Sequence, residues 1–224
     1  MCERYVLPTQ VAAEREFQPT QAWWKFSQRF NVAATQYVPA IRWQQGQSEA
    51  MMMRWGLIPA WAEGLPTNDA SSSVDSDRIE RSDAYGTPWL HSQRCILPVA
   101  GFYAWKLADA GYRQPFFIRL IDRSVFGFAA LWDRSEGEDD DVIESVAIIR
   151  VPANDLIASM LPSDARMPAI LRRKDYDTWL QGTPVQAKAV LQPYPAGRMQ
   201  ADAVSPRINS TAVDDVGLIR RAVR

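Results

Sequence analysis

The chain has little of what several protein classes require. Among 224 residues there is one histidine, His91, and there are two cysteines, Cys2 and Cys95. So few soft ligands, far apart in sequence, form no metal-binding cluster, and no metal or other cofactor is expected. Two cysteines also exclude a disulfide scaffold and fit a reducing compartment. No apolar run approaches the roughly 20 residues a bilayer needs; stretches such as Ala147 to Ile149 with Val151 are typical. The opening Met1-Cys2-Glu3-Arg4 lacks the charged-then-apolar layout of a secretion signal, so a cytoplasmic protein with no membrane partner is expected. Neither a GxGxxG nor a P-loop occurs, which leaves nucleotide binding without support. Repeats, low-complexity tracts and Gly/Ser linkers are missing too, and one domain over residues 1–224, acting as a monomer, is the expectation. A formal net charge of −1 argues against a globally basic nucleic-acid coat, yet leaves room for a local basic groove.

What is present is an ordinary globular composition, 47% apolar and 23% charged, enough to bury a core. Apolar periodicity and richness in β-branched and aromatic residues predict strands over Gln36 to Trp43, Ala50 to Trp55, Arg94 to Pro98, Phe102 to Lys106, Pro115 to Ile121, Val125 to Trp132 and Val142 to Val151. Helices are predicted over Pro19 to Phe30, where Trp23, Phe26 and Phe30 recur at three- and four-residue spacing, and over Arg173 to Leu180 and Pro184 to Leu191. Strands that follow one another without a helix between them imply an α+β fold dominated by a largely antiparallel sheet, curled or closed like a barrel, with a few peripheral helices. Glu136 and Glu138 to Asp141 form an acidic run that reads as a solvated hairpin loop, and the aperiodic polar stretch Gly64 to Tyr85 reads as a long loop. The nine tryptophans are explained first by core packing. The alternative is that some of Trp23, Trp24, Trp55 and Trp61 offer ring faces to a stacking base.

Several segments, in order, resemble a known family. They are Met1 to Tyr5, Asn31 to Thr35, Arg54 to Ala62, Arg94 to Lys106, Gln114 to Ile118, Ala153-Asn154, Arg166 to Leu171 and Val204 to Asn209. Together they resemble the SOS-response-associated peptidase family, whose motifs include Met-Cys-Gly-Arg-aromatic, Trp-Gly-Leu-Ile-Pro-x-Trp and Arg-Cys-Leu-x-Pro-Ala-x-Gly-Phe-Tyr-Glu-Trp. The resemblance implies a sensor of abasic sites in single-stranded DNA during the DNA-damage response. It implies that Cys2, freed of Met1, closes a thiazolidine with the sugar aldehyde: the α-amine condenses to an imine and the thiol then closes the ring. An amine pKa near ~8 and a thiol pKa near ~8.5 leave reactive forms of both at neutral pH. Taken alone, Cys2 would read as a chance residue of a frayed terminus; the downstream matches reverse that. Cys95, in an apolar strand, reads as core.

The supporting positions depart from the family. Its strand-motif glutamate is Ala104 here, and its histidine before Arg-Met-Pro falls on Asp164, counting back from Pro168, or on Leu161, counting forward from Asn154. Asp164 is the candidate proton carrier, although a solvated aspartate near ~3.9 is a poor acid unless burial raises it. The family's Asn-Ala-Arg-x-Glu segment aligns with Ser76 to Glu80, which makes Arg78 a phosphate contact or a surface ion pair; Asn68-Asp69-Ala70 is the competing match. Glu3 replaces glycine, and a carboxylate beside the amine that shifts it by about one pKa unit removes about nine-tenths of its reactive form. Ala34 replaces a proline. The expected DNA contacts are Arg4, Trp55, Trp61, Ser76, Arg78 and Arg166, with Cys2 and Asp164 catalytic. Three readings follow: covalent capture of abasic single-stranded DNA, non-covalent single-strand binding by a catalytically silent relative, and a cysteine peptidase limited to removing its own Met1.

Overall fold

The computed structural model describes residues 4–62, 72–107, 111–136, 141–161 and 165–222. The first half holds β1 (Arg4–Leu7), α1 (Gln10–Phe17), β2 (Gln21–Ala22), β3 (Arg29–Ala33), β4 (Tyr37–Gln44), β5 (Gln47–Trp55), β6 (Ser73–Asp75), α2 (Gly86–Leu90), β7 (Arg94–Val99) and β8 (Gly101–Leu107). Then come β9 (Arg113–Leu120), β10 (Phe126–Glu136), β11 (Val142–Pro152), α3 (Asp155–Ala158), β12 (Arg166–Pro168), β13 (Ile170–Leu171), α4 (Tyr176–Gln181), α5 (Pro184–Val190) and β14 (Met199–Ala203). The fold is α+β and β-dominated, as the apolar segments rich in β-branched and aromatic residues implied.

Strands β11, β10, β7, β4 and β5 pair in that order, and β5 returns to β11, so the sheet closes on itself and hides its edges. All pairings in the ring are antiparallel except β5 with β11. The β4–β5 hairpin turns through Gln45 (φ 52°) and Gly46 (φ 81°), a two-residue loop with both φ values positive that matches the strand twist. In β10–β11, Glu136 stands opposite Val142, so the acidic run joins these two strands as expected.

A second sheet, ordered β14-β9-β8-β1-β3, lies against the barrel. Its period of two splits its side chains cleanly. Tyr5, Leu7, Phe102, Ala104, Ile118 and Leu120 enter the main core, while Val6, Tyr103 and Phe117 face the other way and pack with Val204, Ile208 and Leu218 of the C-terminal segment. Gly101 permits the close approach of β8 and β9, since a Cβ there would come within 2.3 Å of the Phe117 ring. The C-terminal segment is clamped from both sides. Asn31 is fully buried and its Nδ2 donates to the carbonyls of Ser210 (2.9 Å) and Val213 (2.8 Å). Asp214 accepts from the Phe30 amide (2.5 Å), the Asn31 amide (3.1 Å) and Arg29 Nε (2.9 Å).

Two expectations are corrected. Pro19 to Phe30 is extended, not helical: β2 pairs with β5, and the chain beyond it is pinned to α1 by Trp24 Nε1 donating to Glu14 (3.1 Å) and by Gln10 Oε1 accepting from the Phe26 amide (3.2 Å). Trp23 is exposed while Trp24 is buried, which a helix facing Trp23, Phe26 and Phe30 to the core would not give. The helix of this region is α1, started by Thr9 Oγ1 accepting from the Ala12 amide. The stretch read as a loop from Gly64 to Tyr85 contains β6, which runs parallel to β11, and a 3-10 turn at Ile79–Arg81.

Candidate nucleic-acid interface

Beyond Ile148, β10 and β11 diverge, and the Arg166–Leu171 segment fills the fork. Arg166, Met167 and Pro168 pair along β11, Ala169 bridges the two strands through its carbonyl to the Ala129 amide (2.9 Å) and its amide to the Ile149 carbonyl (2.8 Å), and Ile170 and Leu171 turn back along β10. This V explains the Met-Pro-Ala-Ile-Leu run, all of it buried, with Arg166 on one arm. On the other edge of β11, β6 brings Asp75 level with Arg150, and the Ser76 amide donates to the Arg150 carbonyl at 2.8 Å.

Charged groups converge there. Arg150 meets Asp75 at 2.9 Å and Arg166 meets Asp77 at 2.9 Å, whereas Arg78 lies 4.0 Å from Asp75 with most of its guanidinium in solvent. The Arg166 guanidinium holds the Asp77 carboxyl below its usual value near 3.8, so Asp77 stays ionised at neutral pH. A cleft of about 360 Å³ opens here, lined by Asp75, Arg78, Arg81, Ser82, Tyr85 and Arg150 among others. Burial pushes the Tyr85 phenol up to about 12, leaving it a neutral hydrogen-bonding group. Four arginines against two carboxylates give the region a net positive field.

Trp61 stands at the edge of this cleft. The chain leaves β5 at Trp55, Gly56 adopts φ 118° that only glycine takes without strain, and Leu57 and Ile58 dive into the core. The Ala60 amide then donates to Asp133 (2.9 Å), and the 3-10 turn Ala60–Ala62 leaves Trp61 65% exposed, its Nε1 3.5 Å from the Asp83 carbonyl. Trp55 is a correction. It has no exposed surface, its Nε1 donates to the Ser72 carbonyl (2.8 Å), and its ring meets Tyr5 edge-on at 5.1 Å. It cannot stack on a base; it is the floor that ties β1 to the segment entering β6.

The structure therefore brings Ser76, Arg78 and Arg166 together, sets Trp61 against the Asp83 carbonyl, next to the cleft residue Ser82, and places Arg4, half-buried, at the start of β1 opposite Ala33. Cys2, Glu3, Asp164 and the competing Asn68-Asp69-Ala70 lie outside the described residues. Ala104 is buried on β8 opposite Phe116, and the next residue, Trp105, donates from Nε1 to Asn209 Oδ1 at 2.8 Å, seating the Val204–Asn209 segment over β8. Cys95 is core, its thiol pushed up by burial. Asp75, Asp77, Arg81, Tyr85 and Arg150 were not anticipated. The available signals were the charges alternating about Ser76 and the lone arginine ending the apolar run of β11. Among the described residues no cluster of three or more His, Cys, Asp or Glu could hold a metal ion, and no helix is long and apolar enough to cross a membrane.

Known proteins resemble this chain in sequence and in fold. The family model described as SOS response associated peptidase (SRAP) matches residues 1–211. The Bacillus subtilis abasic site processing protein YoqW is 30% identical over 184 residues, covering 81% of this chain and 80% of that protein. The chicken abasic site processing protein HMCES is 27% identical over 192 residues, covering 73% of this chain and 55% of that longer protein. Among solved structures, a Bacteroides thetaiotaomicron protein superposes with a TM-score of 0.84 at 22% identity, covering 99% of this chain and 100% of that one. A Bordetella bronchiseptica protein does so with a TM-score of 0.78 at 25% identity, over 91% of this chain and 100% of that one.

Proposed function

Since the chain belongs to the SOS response associated peptidase family, we propose that it processes abasic sites in DNA. It captures them in single-stranded DNA through a thiazolidine at Cys2 once Met1 is removed, as a cytoplasmic monomer without cofactor in the DNA-damage response. The observation that carries this reading is the Ser76–Arg78 turn, held by Arg150 and by the Asp77–Arg166 pair beside the exposed Trp61. Arg78 and Arg166 suit phosphate oxygens, and Trp61 suits a base that is not stacked in a duplex.

The reaction needs proton transfer at two points. The Cys2 amine adds to the sugar aldehyde and the oxygen leaves as water, giving an imine; the thiolate then attacks the imine carbon while the nitrogen takes up a proton. The described side chains near the cleft are poorly suited to this. Asp77 is held ionised and Tyr85 held neutral, and at the position where the resemblance puts the family's glutamate Ala104 offers only a methyl group. Proton transfer falls to Asp164 or to water, so capture is slow compared with a site holding a placed acid. That buried alanine also supports a second reading, a relative that binds single strands without bonding to them.

The two readings separate on a denaturing gel. Protein whose intact mass shows Met1 gone is incubated with a single strand carrying one abasic site. A retarded band that Cys2→Ala abolishes is the expected result; tight salt-sensitive binding without such a band replaces the first reading with the second. Ala104→Glu is expected to speed band formation about a hundredfold at neutral pH, the lower range of what a placed proton carrier contributes.

A further inference from the structure

Another cleft, of about 690 Å³, is lined by Arg123, Arg172, Arg173, Lys174, Arg198 and Tyr194. Pockets for small organic ligands are mostly apolar with a few polar groups; this one is mostly cation. Its acids answer weakly. Glu16 is shared by Arg123 at 3.8 Å and Arg173 at 3.9 Å, and Asp122 lies 3.8 Å from Arg198, all beyond hydrogen-bond length. Arg172 and Lys174 have no ion pair among the described residues, and both are exposed. Asp175 lines an adjoining hollow that shares Arg172, Lys174 and Tyr194, so five cations face three carboxylates.

The position of this cleft follows from the fork. The V-shaped segment carries Arg166 on the arm along β11 and ends, on the arm along β10, at Leu171 beside Arg172. Arg172 follows Arg166 by six positions in the chain, so their Cα atoms lie no more than about 22 Å apart. That is within the few nucleotides a single-strand groove spans. Like charges gathered without close counterions are stabilised by a polyanion whose phosphates displace water and release counterions.

We infer that this cleft binds phosphodiester groups of the same strand whose abasic sugar is received at the Arg78–Arg166 cleft. The identity of the strand as DNA rests on the function proposed above. The contact is to backbone and carries no sequence information.

The test uses undamaged single-stranded DNA of about 20 nucleotides, so Cys2 chemistry does not enter the readout. Fluorescence anisotropy across a salt series compares the wild type with Arg172→Glu/Lys174→Glu and with Arg172→Gln/Lys174→Gln, each checked by a melting curve. Lys25→Glu/Arg220→Glu, at two exposed positions outside the cleft, controls for net charge. The expected result is affinity at least about tenfold weaker for the charge reversal, and a salt slope about 1.4 shallower for the neutral pair, two phosphates at about 0.7 each. The control stays within about twofold. Equal affinity and slope in wild type and cleft variants overturn the inference, whether or not the abasic strand is captured. Adenosine triphosphate supplies the second arm: if it binds the wild type, is lost in the cleft variants, and strand binding is unchanged by them, the cleft serves a free nucleotide and the inference fails. Loss of the Cys2-dependent band with a cleft-dependent salt slope would sink only the capture chemistry.

Discussion

In the cleft beside β6, Arg150 meets Asp75 and Arg166 meets Asp77 at 2.9 Å; in the cleft beside α4, three pairs span 3.8–3.9 Å and Arg172 and Lys174 have none among the described residues. Short pairs fix where each guanidinium points and cancel part of its field. Long pairs leave the field and fix little. The first arrangement suits a site that must place one sugar and its flanking phosphate within tenths of an ångström. The second suits contacts that need only attract and track a backbone. The cleft beside β6 thus sets an open cation, Arg78 at 4.0 Å from Asp75, among guanidiniums held in short pairs, whereas every pair of the cleft beside α4 is long.

The largest effect that could break this comparison lies beneath the first cleft. Trp55→Ala is expected to cost about 3–5 kcal/mol in denaturant unfolding, as loss of a fully buried indole does. Trp61→Ala should change stability by no more than about 0.5 kcal/mol, yet weaken single-strand binding by about 1–3 kcal/mol. A smaller effect sharpens the contrast between the clefts. Arg166→Lys should weaken binding of the abasic strand about tenfold, because an ammonium cannot hold Asp77 and a phosphate in the same planar fork, whereas Arg172→Lys should leave it within about twofold. Similar losses in both would mean that the clefts are of one kind. The smallest effect is a titration. Asp77 is held below its usual carboxylate value, so its contribution is complete above that value and is lost as pH falls through the depressed one. Carboxyl chemical shifts should show this midpoint moving back up in Arg166→Gln, because the guanidinium that lowers it is gone.

Much of this architecture was legible in the chain. The barrel strands announce themselves as short apolar runs rich in β-branched and aromatic residues; in Val142–Pro152 the stretch Ser145 to Ile149 is buried without a break, as in a strand covered on both faces. The Pro19–Phe30 segment misled because aromatic spacing mimics a helix wherever extended chain packs its rings on separate partners; Trp24 turns to Glu14 while Trp23 meets solvent. The site was half legible. Ser76, Arg78, Arg166 and Trp61 carry local motifs, but Trp55 sits in the same kind of motif and is core, since exposure is decided by what packs above a residue. Asp77 and Arg150 enter the cleft through pairings with strands 75 or more residues away, such as Asp75 with Arg150, and no local pattern encodes these. The basic cleft escaped for the same reason: its cations come from three separate turns.

The clamp of Asn31 and Asp214 has a consequence in time. Its partners are 182 and 183 residues apart. At about 5–20 residues per second, β3 leaves the ribosome on the order of ten to forty seconds before the groups that close over it. During that interval Val6, Tyr103 and Phe117 have no cover, because Val204, Ile208 and Leu218 are made last. A message truncated ahead of Ile208 would yield a nearly complete barrel with an open greasy flank, a form suited to capture by chaperones and proteases.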